Sequence, residues 1–349
     1  MSFKNLVSID LRLKRCITIN IIKKLEKSDE KMSESKRIIN LILEELQEKD
    51  LFFQKNNKFD FSGQSLKKWK RFADYTSGLL DSHKADYVLI KAYDIPYAIM
   101  DDLDILLERK DQLIEIYKDL KKRGFLFKHV TFNDKFKLSA MNKKLDVEID
   151  FYPDPKWSEL RYANKDLITK NRKIKSKHDY EFYCPRAEHE ICITASHSYQ
   201  HNNFNLLDVL NTIKLLIDEK PSVNEIILFS EKFHMQNATL FLLSAADKFM
   251  KRYEHEGIEI EFLDKLRKIS NKRFQKISSQ EFYLDDFPIR FSVMDLLCAS
   301  LDKLNAKNLD KSVNSYDELM GFLKHNKIMN KVSEIFSNEF YDVNSLIQK

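Results

Sequence analysis

Two short apolar segments carry the acidic residues with which this chain could do chemistry. In DDLDILLE (residues 101–108), Asp102 and Asp104 stand two apart. Side chains alternate across a strand, so both carboxylates project from one face, about 7 Å apart along the backbone. Ile105, Leu106 and Leu107, which follow, demand burial. Two carboxylates at the mouth of a buried strand repel unless a cation lies between them, and a divalent metal with oxygen ligands meets that need. LDVEIDFYP then supplies Asp146, Glu148 and Asp150, which the same alternation places on one face. Such a set suits phosphoryl transfer, where metals neutralise the charge on a triphosphate and hold the attacking and leaving oxygens in line. A DxD triplet by itself reads more readily as a solvated strand end than as a metal site. Its conjunction with a second acidic strand is what favours the metal site.

The elements around these residues read as a small sheet. YVLIK (residues 87–91) is an apolar strand, followed by a loop of about ten residues and then by LDILLE as a second strand. DQLIEIYKDLKKRG reads as an amphipathic helix with Leu113, Ile114, Ile116, Tyr117 and Leu120 inward, ended by Gly124. Residues 125–153 give three strand-like runs, divided by turns at Asn133-Asp134 and Asn142-Lys143. The order is β, β, α and a β-meander, an α/β sheet over roughly residues 84–155.

This pattern resembles the uncharacterised nucleotidyltransferase-like families of the polymerase-β superfamily. The residues that carry the resemblance are Lys91, a loop and DDLDILL, a helix ending in Gly-Phe, and EIDFYPDPKW. It continues through PRAEHEICITASHSYQHNNFNLLDVLNTIKLL, so that residues 87–216 are covered. The resemblance implies a palm in which Asp102 and Asp104 bind Mg²⁺ or Mn²⁺ and Asp150 is the third carboxylate. It implies that Lys91 approaches the triphosphate, with Ala92 and Tyr93 beside it and His197 lining the nucleotide or acceptor site. Many members place Gly-Ser or Gly-Gly after the first strand, where this chain has Ala92 and Tyr93. The freedom of a glycine is lost there, which bears on phosphate binding.

The implied function is Mg²⁺-dependent transfer of a nucleotidyl group from a nucleoside triphosphate, ATP among the candidates, to a protein, RNA or small-molecule acceptor. The alternative is a degenerate palm that binds nucleotide or nucleic acid, or regulates, without turnover. The fold expected is α+β: a helical region with a hairpin over residues 1–80, the palm over 81–160 and a helical domain over 161–349. Helices followed by a hairpin at Asn56-Asn57 resemble a winged helix or a capping domain. Later helices are expected at 188–199, 205–217, 223–234, 238–252, 258–269, 291–304, 316–323 and 330–337, and earlier ones at 1–25, around 38–46 and at 66–81.

Composition narrows the field further. The 349 residues are 43% hydrophobic and hold only five glycines and six prolines, which favours helices over a many-stranded β fold. A formal charge of +5 permits an anionic partner without requiring one. Cys16, Cys184, Cys192 and Cys298 are scattered, which argues against a zinc or disulfide framework and for a reducing cytoplasm. No signal-peptide core or membrane-length apolar run is seen, so no membrane partner is expected. His197 and His201 share a helix face but lack the acid of an HExxH site. Glu190 and Asp208 read as solvated or capping acids, and EHEG (254–257) as a linker. Lys67, Lys68, Lys70 and Arg71 around Trp69 read as a solvated helix face before a nucleic-acid contact. Lys170, Arg172, Lys173, Lys175 and Lys177 read as a basic loop that would steer an anionic acceptor.

Overall fold

The computed structural model describes residues 33–48 and 64–291, apart from 93–94, 96–97, 99–101, 128–137, 153–155, 158–159, 162–164, 178–179, 201–202, 234, 254 and 271. The expected hairpin at Asn56-Asn57, the turn at Asn133-Asp134, the helix at 1–25 and those at 291–304, 316–323 and 330–337 lie outside the described residues. So do Tyr93 and His201.

Two helices come first, α1 (Glu34–Glu48) and α2 (Gln64–Ser82), then β1 (Tyr87–Ile90) and β2 (Leu103–Leu107). Helix α3 (Lys110–Lys122) leads to β3 (Leu126–Phe127), β4 (Leu138–Asn142) and β5 (Val147–Tyr152). These five strands form one mixed sheet in the order β1-β2-β5-β4-β3. β2 lies antiparallel to β1 and parallel to β5, and the chain passes from β2 to β5 through α3, β3 and β4. The fold is thus α+β, as expected.

Local chemistry explains the turns. Gly124 adopts φ +79° directly after α3, a left-handed stop that glycine makes without strain. The Asn142 side chain accepts the backbone N–H groups of Lys144 and Leu145 and closes the turn into β5. That turn takes in Asp146, which stands at φ +52° before the strand begins. Asp146 therefore does not share a face with Glu148 and Asp150, contrary to the alternation rule, because the rule holds only inside the strand.

Each sheet face has its own core. Leu89, Leu103, Ile105, Leu107, Ile149 and Phe151 pack with Phe72, Leu79 and Leu80 of α2 and with Ile116 and Leu120 of α3. Val88, Ile90, Leu106 and Tyr152 join the apolar mass of the helices that follow the sheet. Helix α3 turns a narrower face inward than its spacing suggested. Ile116 and Leu120 are buried, whereas Ile114 is 58% and Tyr117 37% exposed. Tyr117 stacks instead on Phe127 of the edge strand.

After the sheet come a small hairpin, β6 (Lys156–Trp157) and β7 (Leu160–Arg161), a short helix α4 (Lys165–Lys170), and a hairpin of β8 (Lys173–Lys177) and β9 (Tyr180–Cys184). The expected basic loop thus runs from the end of α4 into β8, and three of its charges are engaged within the chain. Lys173 and Lys175 both pair with Glu219, while Arg172 pairs with Asp86 and lies over the Tyr183 ring. Lys67, Lys70 and Arg71 are exposed on α2, but Trp69 is buried against Phe182 and takes no part in that basic face.

The remaining described chain is helical: α5 (Ala187–Gln200), α6 (Leu206–Glu219), α7 (Val223–Lys232), α8 (Gln236–Arg252), α9 (Ile260–Ile269) and α10 (Lys272–Ser278), then a 3₁₀ turn at Leu284–Asp286. Sequence periodicity did not isolate α10, which is only two turns long and offers few apolar repeats. Residues 255–257 connect α8 to α9, as a linker should. Among the described residues no helix is long and apolar enough to cross a membrane.

Candidate metal centre

The parallel pairing of β2 with β5 sets Asp104 directly beside Asp150. Paired residues on adjacent strands point to the same face, so both carboxylates lie on the face that meets the later helices. Asp102 precedes β2 by one residue and completes the group. One carboxylate oxygen from each of Asp102, Asp104 and Asp150 lies within 4.8 Å of the other two. Asp104 and Asp150 are only 5% and 1% exposed, while Asp102 is half-buried. Buried ionised carboxylates at this spacing require compensating positive charge.

Part of that charge comes from Lys91. Its ammonium pairs with Asp104 and lies 3.1 Å from Nε2 of His197 on α5. Burial alone would lower the Lys91 pKa, but Asp104, Asp102 and Asp150 outweigh it and hold the ammonium above the usual lysine range. Lys91 has φ +56°, a left-handed conformation that costs a non-glycine residue about 1 kcal/mol. It stands directly after β1, whose last residue pairs with Asp104. The backbone turn thus delivers the side chain to the acids, rather than leaving it free for a triphosphate.

With all three carboxylates ionised, one ammonium leaves the cluster two negative charges in excess. The donor set is all oxygen, drawn from two rigid neighbouring strands and a residue at their mouth. That matches hard divalent cations such as Mg²⁺ and Mn²⁺ and does not match zinc, which favours nitrogen and sulfur. The residues present therefore fit the metal expected from the sequence.

Helix α5 covers this face of the sheet and is buried almost throughout. Some of its polar groups have partners within the chain: Glu188 accepts the Ser222 N–H and pairs with Arg186, and the Ser198 hydroxyl donates to Asp208. Asp208 caps α6 by accepting the Asn205 N–H and is buried, so its capping reading stands and its solvated one does not. Glu190 is buried as well and is not a solvated acid. Burial pushes its carboxyl up to about 7, although Lys175, Lys91 and Lys173 pull the other way. It accepts the backbone N–H of Lys91. Glu190 was missed as a neighbour of the site. The one sequence signal for it is the seven-residue spacing to His197, which puts both on the same side of a helix.

Of the residues expected at the site, Asp102, Asp104, Asp150, Lys91 and His197 come together, and Ala92 packs partly buried at the edge of the core beneath. Glu148 is half-buried on the Asp150 face, and Asp146 is exposed and faces Arg71. No family model matches the chain, and neither a curated protein nor a solved structure gives a significant match.

Proposed function

We propose that this chain is a divalent-metal-dependent nucleotidyltransferase acting on a nucleoside triphosphate. The observation that carries the reading is the convergence of three carboxylates, two of them buried, with one oxygen of each within 4.8 Å of the others. Asp102, Asp104 and Asp150 would hold Mg²⁺ or Mn²⁺. The metal would supply charge neutralisation for the triphosphate and the leaving pyrophosphate. In nucleotidyl transfer an acceptor oxygen bonds to the α-phosphorus while the bond from that phosphorus to the β-phosphate oxygen breaks. Asp150, the most buried acid of the three, would complete the site and take the acceptor's proton. Lys91 carries the cation nearest the acids and would pair with phosphate oxygens, with His197 beside it. The acceptor is a protein, an RNA end or a small molecule.

A second reading, nucleotide binding without turnover, draws on two features. Lys91 is engaged with Asp104, and Ala92 stands where a glycine or serine would let backbone amides cradle phosphate. Calorimetry with ATP, GTP, CTP and UTP, with and without Mg²⁺, tests both readings when joined to transfer of an α-labelled nucleotide. The enzyme reading expects Mg²⁺-dependent binding of at least one triphosphate and label transfer that Asp104→Asn lowers at least about a hundredfold. Binding without transfer supports the second reading. No binding of any triphosphate with Mg²⁺ contradicts both.

A further inference from the structure

Helix α5 grips Lys91 at both ends. Glu190 accepts its backbone N–H, and His197, seven residues on, accepts from its ammonium at 3.1 Å. Seven residues of helix rise by about 10 Å, so one face of α5 spans the lysine from main chain to tip. The held ammonium pairs with Asp104 inside the same carboxylate cluster that fits a divalent cation. A lysine in a left-handed turn with both ends anchored is a position defined by its surroundings, not by local preference.

We infer that Lys91 is an internal counter-ion that occupies the cation position of the Asp102–Asp104–Asp150 cluster until a divalent metal displaces it, and that Glu190 and His197 are the positioning residues that hold it there. The inference rests on the metal-site reading above. Three clustered carboxylates, two of them buried, cannot stay ionised without positive charge, and Lys91 provides it from within the chain. An arriving M²⁺ must push against that ammonium, because two cations a few ångströms apart at low effective dielectric repel by kilocalories. Displacement frees the ammonium just where an incoming triphosphate would need a cation. Metal and nucleotide binding are thereby coupled through one side chain. His197 must be neutral and protonated on Nδ1 to accept from the ammonium, so it weighs only on where Lys91 points.

The test uses the full chain and Mn²⁺ alone, followed by electron paramagnetic resonance. Lys91→Met should bind Mn²⁺ at least about tenfold more tightly than the unaltered protein, since the competing charge is gone. His197→Leu, which removes only one anchor, should tighten it a few-fold. Equal or weaker binding by Lys91→Met, with clear binding by the unaltered protein, overturns the inference and leaves the metal site standing. Absence of Mn²⁺ binding from both proteins overturns the metal site and the inference together. Should Lys91→Met fold poorly, amine acetylation of the unaltered protein gives the same answer. Lys91 should be shielded without metal and several-fold more reactive at saturating Mn²⁺, and unchanged reactivity counts against displacement.

Discussion

The two faces of β2 and β5 are built from alternate residues of the same strands, yet they serve opposite ends. On one face the apolar side chains of Leu103, Ile105, Leu107, Ile149 and Phe151 meet α2 and α3. On the other, Asp104 and Asp150 interrupt Leu106 and Tyr152 beneath α5. Both faces are buried, so the acids are not there because solvent happened to reach them. The apolar face gains stability from burial, roughly 25 cal/mol for each Å² removed from water. The acidic face carries a desolvation cost that Lys91 relieves only in part.

The largest effect should come from breaking the apolar face. Phe151→Ala removes a fully buried ring next in sequence to Asp150 and should cost about 3–5 kcal/mol in denaturant unfolding. If it costs much less, that face is looser than its burial implies. Glu190, in the helix covering the acidic face, sharpens the contrast through pH. Its carboxyl, ordinarily near 4.5, is raised to about 7 by burial. Between those values the folded chain keeps a proton that the unfolded chain has released. Stability therefore falls as pH rises through that window and levels off above it. Glu190→Gln retains an acceptor for the Lys91 N–H and removes the titration. It should match the unaltered protein near pH 4.5 and exceed it by roughly 3 kcal/mol at pH 8. A stability difference that does not change with pH would show that Glu190 stays ionised.

Smaller effects separate the acids from one another. Asp150→Asn keeps the shape and removes one of three like charges, so the metal-free protein should gain on the order of 1 kcal/mol. Asp104→Asn also breaks the Lys91 ion pair, and its melting temperature should fall below that of Asp150→Asn. Asp146→Asn should change stability by less than about 0.5 kcal/mol, because the residue is exposed and asparagine tolerates its left-handed turn. A large loss there would return Asp146 to the candidate site.

The sheet and its two acidic strands were legible because they rest on short-range rules, whereas the choice of Asp150 over Asp146 and Glu148 came from the family resemblance. Alternation placed Asp102 with Asp104, and a β-α-β order put β2 next to a later acidic strand. Most helix positions followed from apolar spacing in the same way, as at 223–234 against the observed Val223–Lys232. What stayed hidden depends on contacts between distant segments. Nothing in KIKSK says that Lys173 and Lys175 will meet Glu219, so a strand with two paired lysines looked like a free basic loop. Nothing in AEHEICITASH says that Glu190 will lie against Lys91, nearly a hundred residues earlier. The left-handed turn at Lys91 has no glycine or asparagine to announce it. It is imposed by what surrounds the residue.

Whether the acidic face holds a divalent cation is tested most directly on Asp150. Mn²⁺ should be titrated into the unaltered chain and into Asp150→Asn, each shown to be folded by its melting temperature. The unaltered chain should bind one Mn²⁺ weakly alone and more tightly with a triphosphate present, because phosphate oxygens complete the ligand set. Asp150→Asn, folded and at least as stable, should lose most of that affinity. Equal binding by the two proteins, or none by either, would contradict the account.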